Sequence, residues 1–416
     1  MEHTGFSGLS DSPRALRARP PALILGLGVH GLAIARSLGR RDIEVEAADP
    51  DARQPHRRSK YCRRLHEVGS IEDERLVEFL VRFGQTRRRK TALFITRDRT
   101  VPVISSTRDL LSQYFDFTLP SDAVIRELMD KTRLPSFLRR CDSLHPRTAW
   151  IRGPEHLAIA GEAVGFPCMV KPALRTPGFK VGIAHSAKEL AEVYATVSQY
   201  TDKAVAQQWI RGGDSEVYFC FVYIGRDSAP KGVFVGRKLH QYPRGTGIAA
   251  EAEGCDNAFV RQESLRLFRL AGYKGFGSTE FRRDPVSDRY YLIEFTVGRT
   301  DYNVACAVAN GVDLPFLGYC DTVDLDSDGD LPCQRNGKRW VEFGRNLRAI
   351  LQEVASAEGG KLQAASALAK SASPRNVFTL FDPGDPQPFL MHVLDRALAA
   401  PRAIGRRALK SIRSVL

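Results

Sequence analysis

The stretch Gly275 to Asn303, GFGSTEFRRDPVSDRYYLIEFTVGRTDYN, constrains this chain more than any other. It reads as two strands joined by a tight turn. Phe276 to Arg283 alternates, Asp284 to Asp288 carries proline and aspartates, and Arg289 to Val297 alternates again. A two-residue period puts Ser278, Glu280 and Arg282 on one face of the first strand. It puts Tyr290, Leu292, Glu294 and Thr296 on one face of the second. Glu294 then sits inside an otherwise apolar strand, YYLIEF. A buried, unpaired carboxylate is costly, so a positive group should face it. An odd number of turn residues makes Glu280 and Glu294 converge on one side. Two such carboxylates suit a hard divalent cation such as Mg2+, which takes oxygen ligands and keeps positions for phosphate. The plainer reading is a hairpin whose glutamates are each paired with a nearby arginine.

The chain has 416 residues, enough for two or three domains. Its 43% apolar and 26% charged content is that of a soluble globular protein. No stretch approaches the roughly 20 apolar residues of a membrane-spanning helix. The first 20 residues lack the apolar core of a secretory signal. The eight cysteines are scattered with no CxxC spacing, which argues against a zinc site or a disulfide scaffold and fits a reducing cytoplasm. A net charge of +13 admits anionic substrates, nucleic acid or anionic lipid as partners. The basic residues are dispersed and not interleaved with aromatics, so nucleic-acid binding is not expected.

Along the chain, residues 1–20 are polar, arginine-rich and expected to be disordered. Next, Ala22 to Leu25 meets Gly26, Gly28 and Gly31, then a helix and a second strand ending at Asp49. This is a βαβ start with GxGxxG spacing. It fits an NAD(P) site, or a Rossmann-like domain whose glycines only permit the turn. Thr96, Arg97 and Asp98 end the strand ALFI, where ligands bind in open α/β sheets. Asp122 to Arg140 has a helical pattern with Lys131 near its middle. A strand then stops at Lys171, and residues 175–182 form a basic, glycine-containing loop suited to phosphate. Arg237, Lys238 and Arg244 lie in a later basic segment. They are candidates for gripping a carboxylate or acyl phosphate, or else a solvated hairpin. Residues 321–333 match part of a calcium loop, but Arg335 stands at its twelfth position, so they read as a polar loop. The end, LDRALAAPRAIGRRALKSIRSVL, is a basic amphipathic helix candidate that packs on its own protein or lies weakly on a membrane surface.

The order of these features resembles the ATP-grasp superfamily of carboxylate–amine ligases, in particular the group of D-aspartate ligase and the carbamoyl-phosphate synthase large subunit. The features are the glycine turn, Lys131, Lys171, the Gln-Gln-Trp-Ile connector at 207–210, and Glu280 with Glu294 across a turn. The likeness covers roughly residues 21 to 320. It implies an α/β and α+β chain: an ATP-grasp fold, an N-terminal Rossmann-like domain and a C-terminal helical extension. The implied divisions are the tail 1–20, the Rossmann-like domain 21–120, a small lobe 121–208, a large lobe with the metal site 209–320, and loop and helices 321–416. It implies ATP and Mg2+ (or Mn2+) as cofactors, small carboxylate and amine substrates, and a homodimer. Lys131 and Lys171 match the phosphate-holding lysines, and 171–182 the lid over them. Gln207 matches a residue at the adenine amino group. Gln208 and Ile210 match the backbone groups at the adenine edge, and Glu216 the ribose contact. Glu280 and Glu294 match the metal ligands. The family's Glu-x-Asn-x-Arg is altered here: Thr296 replaces the metal-binding Asn, and Arg299 is displaced by one residue. The third ligand is therefore open, with Asn303 as another donor. Arg299 matches the catalytic arginine, beside Lys238 and Arg237. The resemblance makes the N-terminal glycine turn a feature of the fold. An NAD(P)-binding oxidoreductase and a non-catalytic ATP-binding or membrane-associated scaffold are the competing readings.

Overall fold

The computed structural model describes residues 19–326, 332–355 and 361–398. Most of the arginine-rich start, Asp328 and Gly329 of the polar loop, and the basic end from residue 399 lie outside the described residues. Three sheets carry the architecture. The first is parallel, with β1 (Ala22–Leu25), β2 (Val45–Asp49), β3 (Arg64–Glu67), β4 (Thr91–Ile95) and β5 (Phe115–Asp116) in the order β3-β2-β1-β4-β5. Strands β1, β2 and β4 are buried along their whole length, as a sheet covered on both faces requires. Alternation divides β1 between two cores: Leu23 and Leu25 enter one, Ala22 and Ile24 the other.

The glycine turn after β1 is used for close packing. Gly26 has φ +92°, and a Cβ there would lie 2.3 Å from Thr96 Oγ1. A Cβ on Gly31 would lie 2.4 Å from the Gly26 carbonyl oxygen. The Asp49 carboxylate accepts from the backbone amides of Leu27 (2.8 Å) and Asp51 (2.9 Å). The acidic residue that a dinucleotide site would use is thus spent on bracing its own turn.

The second sheet is antiparallel: β6 (Thr148–Ile151), β7 (Cys168–Pro172), β8 (Gly182–Ala184) and β9 (Ala204–Gln208), in the order β6-β9-β7-β8. Helices Leu157–Val164 and Ala187–Val197 close a small separate core over it. The third sheet has seven strands: β10 (Val217–Ile224), β11 (Pro230–Tyr242), β12 (Ile248–Gly254), β13 (Gly275–Asp284), β14 (Arg289–Val297), β15 (Arg339–Val341) and β16 (Val377–Phe378). Their order is β14-β13-β10-β11-β12-β15-β16. The segment beyond residue 320, expected as loop and helices, therefore also extends this sheet. The fully buried Trp340 fixes β15 there, edge-on to Tyr302.

Residues 122–140 differ from the single helical stretch expected. They form two helices, Asp122–Met129 and Leu134–Arg140. Asp130 Oδ1 takes the amide and hydroxyl of Thr132, the Lys131 amide donates to Ala173 O at 3.0 Å, and Pro135 opens the second helix. Lys131 is thereby held in a turn, tied to the end of β7. The chain's last described helix, 387–398, begins on the N-terminal domain. Just before it, Asp385 accepts from Arg36 Nε (3.0 Å), Ser59 Oγ (2.7 Å) and the Lys60 amide (3.0 Å).

A Gly31→Ala substitution should destabilise the protein by about 1–3 kcal/mol, because the carbonyl its Cβ meets belongs to the backbone and cannot swing aside. Gly213→Ala, where a Cβ meets nothing within 4 Å, should change stability by less than about 0.5 kcal/mol. Urea melts of the two variants check this contrast.

Candidate active site

The hairpin β13–β14 brings Glu280 and Glu294 together by a different device from the one expected. Its turn has four residues between Asp284 and Arg289. An even turn alone would send the two glutamates to opposite faces. The register slips between Glu280 and Phe281: Phe281 pairs with Leu292 but Glu280 pairs with Glu294. Ile293 is therefore a bulge, one extra residue on β14. Tyr290 and Leu292 consequently do not share the face of Glu294 and Thr296, which corrects the simple alternation. Leu292 is buried in the core, while Glu280, Arg282 and Glu294 line a cavity of about 500 Å3.

The cavity lies between the small sheet, the large sheet and the C-terminal end of β4. Nine basic and five acidic side chains line it, an excess that suits a polyanion. On the large sheet, Lys238 Nζ lies 2.8 Å from both oxygens of Glu280. From the small lobe, Lys171 Nζ donates to Gln207 Oε1 at 2.8 Å, and Gln207 Nε2 donates to Thr148 Oγ1 at 3.1 Å. Arg175, on the loop after β7, lies 3.4 Å from Glu294 Oε1 and 3.0 Å from Asp98 Oδ2. Lys131 Nζ is 4.0 Å from Glu294 Oε1. Lys180 Nζ donates to Thr246 O at 2.7 Å, so the loop reaches the far wall. At the N-terminal side, Arg299 Nε donates to Asp98 Oδ1 at 2.5 Å, and its Nη1 donates to Thr300 O at 2.8 Å.

The electrostatics follow this geometry. Desolvation opposes ionisation of Glu294, but the charges of Arg175, Lys131, Lys180 and Lys171 outweigh it and hold the carboxyl far below its usual range. Asp98 is lowered in the same way, with Arg299 and Arg175 overcoming its desolvation. The Asp301 carboxyl is raised by burial. Burial brings Lys171 down to about 8, and Lys131 and Arg282 also lower it. Burial and then Lys238 bring Lys180 down to about 7. Both lysines are poised to regain full charge when an anion enters.

Not every expected site residue reaches the cavity. Lys131, Lys171, Gln207, Gln208, Ile210, Lys238, Glu280, Glu294 and Arg299 line it; Arg237, Glu216 and Thr296 do not. Arg237 is adjacent to Lys238 on β11, so it faces the other way and pairs with Glu253 at 2.8 Å. Glu216 is drawn to Arg283, at 3.6 Å. Thr296 turns its hydroxyl to Asp301 Oδ1 at 3.3 Å. Asn303 does line the cavity, and its buried Nδ2 has no hydrogen-bond partner. Arg282, Lys180 and Asp301 are wall residues not singled out from the sequence. Asp301 stands two residues after Arg299, which was the available signal.

The donor set fits a hard divalent cation. Glu280 and Glu294 are cross-strand partners on one face, open to a cavity with lysine and arginine side chains opposite. Among the described residues no cluster of three or more His, Cys, Asp or Glu forms a closed metal cage. Two carboxylates with open positions match a metal that shares its ligands with a phosphate chain.

The two lowered lysines predict a pH dependence. They lose charge as pH rises through about 7 and about 8, so affinity for an anion in the cavity falls. Their native values also lie below the ordinary lysine value of about 10.4, so the unfolded chain binds more protons and their effect on stability improves as pH rises through this window. Inorganic tripolyphosphate should bind roughly tenfold more weakly at pH 9 than at pH 7. Lys180→Met should flatten that dependence; isothermal titration calorimetry measures both.

No family profile matches the chain. It is 27% identical over 215 residues to the D-alanine–D-alanine ligase of Alkalilimnicola ehrlichii, a match covering 48% of this chain and 66% of that protein. The chain thus spans just under two thirds of that curated relative. Among solved structures, it is similar to the biotin carboxylase domain of Hydrogenobacter thermophilus 2-oxoglutarate carboxylase, a dimer in complex with MgADP, ADP and bicarbonate. There the TM-score is 0.62 at 14% identity, over 77% of this chain and 74% of that one. It is also similar to N5-carboxyaminoimidazole synthetase from Staphylococcus aureus complexed with ADP, with a TM-score of 0.60 at 15% identity, over 76% and 81% of the two chains. The chain thus has the ATP-grasp fold of these structures, and in sequence it is similar to D-alanine–D-alanine ligases.

Proposed function

We propose that the protein is an ATP-dependent carboxylate–amine ligase that forms an amide and releases ADP and phosphate. The observation that carries this reading is the bulge-set pair Glu280–Glu294, facing the cations of the 171–181 segment across one cavity. Two of the similar structures, both complexes with ADP, support the nucleotide, and the D-alanine–D-alanine ligase supports the bond formed.

The chemistry needs no nucleophilic side chain. A substrate carboxylate oxygen attacks the γ-phosphorus of ATP, the bond to ADP breaks, and an acyl phosphate results. The amine nitrogen then attacks the acyl carbon, phosphate leaves, and the nitrogen gives up a proton. Glu280 and Glu294 would hold Mg2+ (or Mn2+), which neutralises charge on the phosphate oxygens. Lys131 and Lys171 hold the phosphate chain, and the 174–181 loop covers it with Arg175 and Lys180. Gln207 keeps Lys171 aimed, while Gln208 and Ile210 line the base end. Lys238 and Arg299 take the developing charge of the acyl phosphate, and Asn303 is the further donor in place of Thr296. Catalysis is positioning plus neutralisation.

The carboxylate and amine are small molecules on this reading, and a homodimer follows the dimeric neighbour. A reducing, cytoplasmic setting is supported by eight free cysteines. Among the described residues, no helix is long and apolar enough to cross a membrane.

Glu294→Gln removes the charge while keeping the shape. It should lower ADP release, in a screen of carboxylate and amine pairs, by about 100-fold or more. The wild type should melt higher with MgATP than with ATP and EDTA, and should not respond to NADH. A Glu294→Gln protein that retains magnesium-dependent turnover would refute the assignment.

A further inference from the structure

The last described helix, 387–398, carries an apolar row that the described residues leave uncovered. Leu390, Leu394 and Leu398 recur every four residues, and Val393 lies beside them. Their exposures are 60%, 50%, 63% and 48%. Scattered exposed leucines need no explanation, but one contiguous stripe on a helix does. The base of the helix is firmly seated. Asp385 is buried and holds Arg36, Ser59 and the Lys60 amide, and Arg40 pairs with Asp382. The stripe is therefore presented in a fixed position relative to the N-terminal domain.

Basic residues lie on the segment that seats the helix base. The segment touching Asp385 exposes Arg57, Arg58 and Lys60. On the helix itself, Arg396 is exposed beside the single carboxylate of Asp395. The chain that follows, residues 399–416, contains five basic residues and no acidic one. An apolar stripe flanked by cations is the chemistry of a surface lying in the headgroup region of an anionic bilayer. Twofold pairing of the stripe with a second copy would bring like-charged clusters face to face, which costs energy.

We propose that helix 387–398 docks the enzyme on an anionic lipid surface, its leucines entering the interface and the adjacent Arg57, Arg58 and Lys60 meeting headgroups. This site is separate from the ligase cavity, so its test does not require turnover.

The full chain is sedimented with sucrose-loaded vesicles, either pure phosphatidylcholine or containing about 30% phosphatidylglycerol. Partitioning onto the anionic vesicles should be at least about tenfold stronger and should weaken as salt rises. A Leu390→Ser/Leu394→Ser/Leu398→Ser variant should lose about tenfold or more of that binding. Arg57→Ser/Arg58→Ser/Lys60→Ser should lower it with the leucines intact. Each variant's melting temperature should match the wild type, since these side chains are exposed. Absence of vesicle binding, or binding that the triple leucine variant leaves unchanged, overturns the proposal. So does a wild-type dimer that this variant dissociates with no vesicle binding in either protein, which would make the stripe an interface between copies.

Discussion

Two carboxylates placed side by side on paired strands repel, and the surrounding architecture answers that repulsion. At a cross-strand spacing of about 5 Å and an effective dielectric of about 20, the pair costs roughly 3 kcal/mol. The protein offsets it with separate cations from separate places. Lys238, on the neighbouring part of the same sheet, holds Glu280. Arg175 and Lys131, from outside the large sheet, face Glu294. Removing the cations would leave a hairpin unable to keep both charges. The cavity is thus a consequence of the hairpin as much as its setting.

Arg175 has a second effect. One guanidinium on the small-lobe loop touches Asp98 of the N-terminal domain and Glu294 of the large sheet. Asp98 in turn holds Arg299. All three sheets are therefore joined at the cavity by an acid–base chain, although the first and the large sheet also share apolar core and only the small sheet keeps a core of its own. Such a junction is sensitive to any added charge. An entering polyanion competes for Arg175, and an entering cation competes for its acidic partners.

Much of this was legible in the sequence because it rests on short-range rules. The alternation around Glu280, the strand that stops at Lys171 and the glycine turn each follow from local period and backbone freedom. The need for a positive group opposite Glu294 also followed, from the cost of a lone carboxylate among apolar neighbours. What stayed hidden depends on register and on distant partners. The bulge at Ile293 is invisible to a pattern of types, because an odd turn and an even turn plus one bulged residue give the same pairing. The break at Lys131 is fixed by Ala173, 42 residues away. Arg237 and Lys238 could not be told apart until the face of β11 was known. The orientation of Thr296 likewise depended on where the loop after β14 carries Asp301.

The clasp at Asp385 bears on how the chain comes to be made. Arg36 is almost wholly buried, and its carboxylate partner lies 349 residues later. At about 5–20 residues per second, the ribosome takes roughly 20–70 s to travel that distance. Throughout that interval the nascent N-terminal domain carries a cation destined for burial with no counter-charge to receive it. It must keep that helix face wet, or borrow a chaperone, until the segment carrying Asp385 emerges. The domain that carries Arg36, made well before its partner, is in this respect finished only after it.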